Sequence, residues 1–470
     1  MTGLGEGEPA LGARLVRSAV VEICEPLHMA DRYRELLGNA ILGIDTLWGG
    51  DVMCPSGTGR FIADSWFSGE PLPLAYTHPA AARVRKSGGV SAKQPDPEAI
   101  EAYLRVVDIP AALEGLRREA EGFRGLRAEY VVGLAGCFET MWELAMEILG
   151  KAPPVPYERC VQASTGAPPR PSQPQQKRDR VAELLGQAGF PPDMGAVDDW
   201  RRSHRVPMAS VRTLGAAVIA CFDQLAARNL VPHLPPALHA VPRANIEFLP
   251  IQDAWFSGSM NYLGRARQAD GSPEYEATYE INASLEISVP EFFQLVSHEV
   301  VPGHVTTFAY LQNLYWRGAV DFEASVLTMN TRAAALFEGV ANNAILMAYG
   351  VKEVDQLPDR DLQIGVLLAL LQDDAKNQAS YLTWEERLPQ HQVAGILRKE
   401  FLVSEERAQK LSGDWGRHPL LGRMYLPAYR AGTEKVAELR RRFPDAQTLP
   451  VMYGCSGVVD VATVEKALAR

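Results

Sequence analysis

Positive charge is in short supply in this chain of 470 residues: 47 Lys and Arg stand against 57 Asp and Glu, a formal net charge of −10 with no basic block. Nucleic acid is therefore not an expected partner. Long apolar runs are also missing. Leu214–Phe222 and Ile364–Leu371 have the length of buried helices, well short of the ~18 residues of a membrane span, so no membrane is expected. The six cysteines (Cys24, Cys54, Cys137, Cys160, Cys221 and Cys455) are scattered without paired spacing, which excludes a disulfide frame or a metal knuckle and suits reduced core residues. Cys455 is flanked by glycines, but with no histidine nearby in sequence it reads as part of a turn rather than a nucleophile. No glycine-rich phosphate loop follows a strand, and no internal repeat is present. The first residues are acidic and glycine-rich rather than basic then apolar, so secretion is not indicated and the cytoplasm is the expected compartment.

What is present is enough apolar residue, 47% of the chain, to bury a large core. Helical periodicity dominates residues 11–48 and 97–150, with a glycine- and proline-rich stretch from Gly49 to Pro97 between them. A second irregular segment, 151–176, reads as an extended crossing interrupted by the buriable Tyr157, Cys160 and Val161. Helices follow from 177 to 229. Strand patterns are few: Asn245–Gln252, Phe256–Arg265 and Glu276–Ile287. After Val289 the pattern is helical again. The expectation is a mainly α protein, a large helical body with a small antiparallel sheet beside a metal-binding helix. Residues 1–176 would form a helical N-terminal region and 177–470 the catalytic region, interleaved into one compact body.

The run His298-Glu299-Val300-Val301-Pro302-Gly303-His304 carries the chemistry. Two imidazoles can hold a divalent metal, and the carboxylate beside the first can accept a proton from water. Their spacing is unusual: six residues on a regular helix place the rings about 240° apart, unable to converge. Pro302 has no N–H to give the carbonyl of His298, and Gly303 tolerates uncommon dihedrals, so this pair predicts a bulge or kink that restores convergence. Ser288 and Glu291 have capping-box spacing and Pro290 falls in the first turn, which predicts a helix leading into His298.

Glu338 lies in a helix-favouring stretch from Thr331 that stops at Gly350. A carboxylate among Leu336, Phe337, Val340 and Ala341 needs compensation, for which a metal is one means and an ion pair with Arg332 another. Asn342, four residues on, shares the helix face of Glu338 and is a candidate substrate contact. The alternative is an exposed Asn342-Asn343 pair.

The His298–His304 run resembles the signature of the domain-of-unknown-function 885 family, bacterial metallopeptidase-like proteins akin to zinc peptidases whose third ligand is a glutamate. Further landmarks are similar: Asn261-Tyr262-Leu263-Gly264 and Tyr279-Glu280-Ile281-Asn282 before the signature, Glu338-Gly339 after it, and Tyr429-Arg430-Ala431-Gly432 near the C-terminus. They span residues 250–440. The chain departs where the family has a second histidine after the signature (Val305 here) and Trp-Ala plus an aromatic after Glu-Gly (Val340-Ala341-Asn342-Asn343 here). The resemblance implies a zinc site of His298, His304 and Glu338, with Glu299 as general base and Tyr429 as donor to the oxyanion. Asn282, Asn342, Arg423 and Tyr425 are the candidate substrate contacts. Glu276–Ile287 would be either a sheet edge that receives extended substrate or an ordinary covered strand.

The expected function is hydrolysis of a peptide or small amide bond in a small-molecule or short-peptide substrate. Two alternatives stand beside it: a biosynthetic metalloenzyme using iron or manganese, suggested by the altered positions, and a non-catalytic helical binding protein with a relict site.

Overall fold

The computed structural model describes residues 31–50, 73–191, 194–241, 245–251, 258–262, 267–282, 287–320, 322–325, 329–455 and 457–469. Cys24 and Cys54 lie outside them.

The N-terminal layer contains α1 (Asp31–Leu47), α2 (Pro79–Ser87), α3 (Ile109–Ala120), α4 (Gly125–Ile148) and α5 (Tyr157–Thr165). Its core of Leu37, Ile41, Trp48, Tyr103, Leu116 and Phe138 continues into the rest of the protein through Ala333, Leu420 and Met424. Two of these helices stand where irregular chain was expected. α2 forms because Pro79 is preset for a first helical position and the His78 ring accepts from the Ala80 N–H. α5 forms around the buriable residues themselves, Tyr157, Cys160 and Val161, all buried on its inner face. Only the proline-rich remainder crosses the surface extended. There Ser172 donates its N–H to Gln378 Oε1 at 2.8 Å, Asn377 donates to the Arg170 carbonyl at 3.0 Å, and Arg430 donates to that of Pro171 at 2.9 Å.

After α6 (Val211–Asn229) come three strands, β1 (Asn245–Ile251), β2 (Gly258–Tyr262) and β3 (Glu276–Asn282), close to their expected positions. The sheet is mixed rather than antiparallel: its order is β1-β3-β2, with β3 parallel to β1 and antiparallel to β2. Because β3 is bonded on both edges, it is the covered strand of the two alternatives and cannot take up an added strand.

The central layer is helical: α7 (Val289–Glu299), α8 (His304–Trp316), α9 (Arg332–Tyr349), α10 (Arg360–Trp384), α11 (Glu405–Ser412) and α12 (Leu426–Arg442). α7 opens with the expected capping box: Ser288 Oγ accepts from the Glu291 N–H, and the Glu291 carboxylate accepts from the Ser288 N–H. Such a cap contributes about 1 kcal/mol. α9 starts at the Thr331 cap and stops at Gly350, as its sequence predicts. α9 and α12 touch backbone to backbone. A Cβ on Gly432 would lie 1.7 Å from the Ala335 carbonyl oxygen, and one on Gly339 would lie 2.3 Å from that of Gly432. Only glycine permits that approach.

By length and composition, two stretches among the described residues reach what a membrane crossing needs, Val211–His233 and Arg332–Gln356, which the apolar runs taken alone do not suggest. The second is a core helix with 83% of its apolar window buried. The first packs one face, with Val218, Ile219 and Phe222, into the same core.

Candidate metal centre

The expected break between the two histidines is present and goes further than a bulge. α7 ends at Glu299, residues 300–303 leave the helix, and α8 begins at His304 itself. The Val301-Pro302 peptide is cis, and the Gly303 backbone is so close to the end of α7 that a Cβ there would sit 1.8 Å from the His298 carbonyl oxygen. Two helix ends thus replace one continuous helix. His298 comes from the last turn of α7 and His304 from the first position of α8, with ring centroids 4.7 Å apart and planes at 87°.

Glu338 reaches the same point from the interior of α9. His298, His304 and Glu338 form a group in which one ligand atom from each, a ring nitrogen or a carboxylate oxygen, lies within 4.8 Å of the others. Glu338 Oε2 is 3.4 Å from His298 Nε2 and 3.8 Å from His304 Nε2, and it is buried without a hydrogen-bond partner. The other oxygen, Oε1, accepts from the Tyr425 hydroxyl. Arg332 does not compensate Glu338; its guanidinium donates instead to the carbonyls of Ala163 and Gln162.

Asn342 faces the centre as its spacing predicts, but it meets His298 rather than open space. Both of its amide hydrogens are used: Nδ2 donates to Asp373 Oδ2 at 2.6 Å and to Thr433 Oγ1 at 2.8 Å. Its Oδ1 lies 2.8 Å from His298 Nδ1. An amide oxygen can only accept, so Nδ1 carries a proton and Nε2 is the nitrogen left to face the centre. Asn342 is therefore placed to orient His298, which corrects its assignment as a substrate contact. Asn343 ties the glycine crossing, donating to the carbonyls of Gly339 and Thr433 at 2.8 and 3.2 Å.

The charges are strongly coupled. Burial opposes protonation of His298, but its close pairing with Glu338 and the charges of Glu299 and Asp373 outweigh it and push its pKa up to about 9. Burial likewise works against Glu338, yet the two histidines hold its carboxyl well below the usual range. Glu299, 3.9 Å from His298 Nε2, goes the other way: burial raises its pKa, and the histidines only partly offset that. Burial also keeps Tyr425 and Tyr429 protonated, their pKa values raised well above 10.0. Their rings pack edge to face at 4.9 Å, and the Lys376 ammonium lies 3.2 Å from the centroid of Tyr429.

Arg423 is placed elsewhere. Its guanidinium makes paired bonds of 2.8 and 2.7 Å to Glu147 and lies 4.2 Å over the Trp384 ring, so it is a tie to the N-terminal layer and not a substrate contact. Asn282 is the last residue of β3, and its side chain lies outside the described residues. Cys455 is buried.

Sequence reasoning missed Asp373, Lys376 and Thr433. The first two lie in Gln372-Asp373-Asp374-Ala375-Lys376-Asn377-Gln378, which reads as a solvated helix face. Its setting midway along a helix of 25 residues, after the apolar Ile364–Leu371, is the signal that it is buried polar material.

The fold and this cluster define a mainly helical protein with a candidate centre for one metal ion. No family model and no curated protein matches the chain. Among solved structures it is similar to a "putative lipoprotein" from Colwellia psychrerythraea, over 98% of this chain and 90% of that one, at 15% identity and a TM-score of 0.51. It is also similar to a "putative lipoprotein of unknown function" from Shewanella oneidensis, over 100% of this chain and 94% of that one, at 13% identity and a TM-score of 0.48. At such identities the first likeness shows the fold alone.

Proposed function

We propose that the protein is a metal-dependent hydrolase of a peptide or small amide bond. The observation that carries this reading is the convergence of His298, His304 and Glu338 from three helices, with Glu299 beside them. The donor set suits zinc, since two imidazole nitrogens and one carboxylate leave a fourth position for water or substrate. The partnerless Glu338 Oε2 is the atom such an ion would satisfy. Bound there, zinc supplies the Lewis acidity that brings a water toward neutral pKa and polarises a carbonyl.

The chain's own residues divide the remaining work. Asn342 holds the His298 ring in the tautomer that presents Nε2. Tyr425, donating to Glu338, fixes that carboxylate. Glu299, with its proton affinity raised by burial, takes a proton from the attacking water and returns it to the leaving amine. Tyr429, kept neutral, donates a hydrogen bond to the oxygen where negative charge develops.

The test is metal analysis of protein purified without added metal, followed by a hydrolysis screen on short peptides and N-acyl amino acids. One zinc per chain and turnover abolished by Glu299→Gln with zinc retained are expected. Alanine variants of His298, His304 and Glu338 that all keep stoichiometric zinc would refute the centre, and full turnover by Glu299→Gln would exclude it as the base.

A further inference from the structure

Lys376 stands on α10 at the edge of the candidate centre, its side chain 13% exposed. Its ammonium donates to Asp373 Oδ1 at 2.9 Å and rests on the face of Tyr429. An ammonium carries three donors. Among the described residues Asp373 is its one hydrogen-bond acceptor, and the ring face engages it without saturating its N–H groups. Asp373 is itself shared, because its Oδ2 accepts from Asn342, which holds His298. Two side chains therefore span the gap between this cation and a metal-site histidine, and the ring it rests on belongs to the tyrosine assigned to the oxyanion. A second cation, Arg407 on α11, interacts electrostatically with both Tyr429 and Asp373.

We propose that Lys376 binds a free carboxylate that the substrate bears next to its scissile amide, so that the centre selects short, acid-terminated amides such as dipeptides and N-acyl amino acids. This rests on the hydrolase reading above and narrows its substrate. A cation in a partly desolvated site gains a charge-assisted hydrogen bond from a carboxylate that a carboxamide cannot match. The linkage through Asp373 and Asn342 also fixes where that carboxylate sits relative to His298. A substrate without the group would leave the ammonium largely buried with N–H donors unused, at a cost in binding.

The experiment is calorimetric titration of full-length Glu299→Gln protein, zinc-loaded and chelator-treated, with a panel of dipeptides and N-acetyl amino acids, each paired with its carboxamide. Acids are expected to bind at least about tenfold more tightly than their amides. Lys376→Met, which keeps the aliphatic stem, should abolish that ratio, and Lys376→Arg should restore most of it. The preference should persist in the chelator-treated protein. The proposal is overturned if no acid in the panel binds, if acids and amides bind alike, or if Lys376→Met lowers zinc affinity while the acid-to-amide ratio stays as it was, the mark of a lysine that only steadies Asp373. Because the readout is binding, a failure of turnover would refute the hydrolase reading without deciding this one, and a flat ratio in an active enzyme would sink this one alone.

Discussion

Replacing Asn342 with leucine isolates the link between the buried polar network and the candidate metal ligands. The variant keeps the branched shape and number of heavy atoms but deletes three hydrogen bonds: the one accepted from His298 Nδ1 and the two donated to Asp373 and Thr433. Asp373 is buried at 5% exposure, and its Oδ2 would lose the Asn342 donor, a penalty of about 1–3 kcal/mol in stability. Freed from its acceptor, the His298 ring can rotate or take the other tautomer. Loss of such an orienting partner weakens metal binding by roughly 10–100-fold, or about 1.4–2.8 kcal/mol. The assay is competition for zinc against a chromophoric chelator, with circular dichroism to confirm that the variant is folded. Asn343→Leu is the control. Its amide bonds only to backbone carbonyls at the glycine crossing, so it should lower the melting temperature and leave zinc affinity within about threefold. A folded Asn342→Leu protein that binds zinc as tightly as wild type would refute the orienting role.

Gly303→Ala would push a methyl group to 1.8 Å from the His298 carbonyl oxygen, so His304 must shift and the protein should lose zinc on dialysis; one zinc retained per chain would show that the close approach is dispensable. Arg423→Ala breaks a largely buried ion pair, and because Glu147 stays 20% exposed the cost should be about 2–4 kcal/mol in chemical denaturation, with zinc content unchanged. In the metal-free protein His298 has its pKa raised from 6.5 to about 9, so its contribution to stability is complete below pH 6.5 and is lost as pH rises through 9. Melting curves of chelator-treated wild type and His298→Phe should therefore converge between those pH values, and a gap that is constant or widens would contradict the coupling.

The sequence discloses the candidate ligands because their constraints are local. Pro302 and Gly303 are adjacent to the geometry they create, and the capping box of α7 and the stop of α9 are each written within a few residues. The strands were found for the same reason, from alternation along each segment. Their order was not, because the pairing of β1 with β3 depends on which edges meet after the chain has passed through β2, and no local pattern encodes that. Asn342 shows the division within one residue. The face it occupies follows from helical spacing, but its role depends on Asp373 and Thr433, which other helices bring to it. Arg423 was misread because nothing near it points to Glu147, 276 positions away in sequence.

The N-terminal layer contributes none of the three candidate ligands, yet it presses on the turn that precedes α12. Leu420 and Met424 belong to its core, Arg423 is clasped by Glu147, and the next residue after Met424 is Tyr425, whose hydroxyl holds Glu338. The early helices therefore act as a buttress: they set the height at which the tyrosine arm stands over the centre. Change in residues 31–165 would be felt at the chemistry without touching it, as a mis-seated phenol rather than a missing ligand.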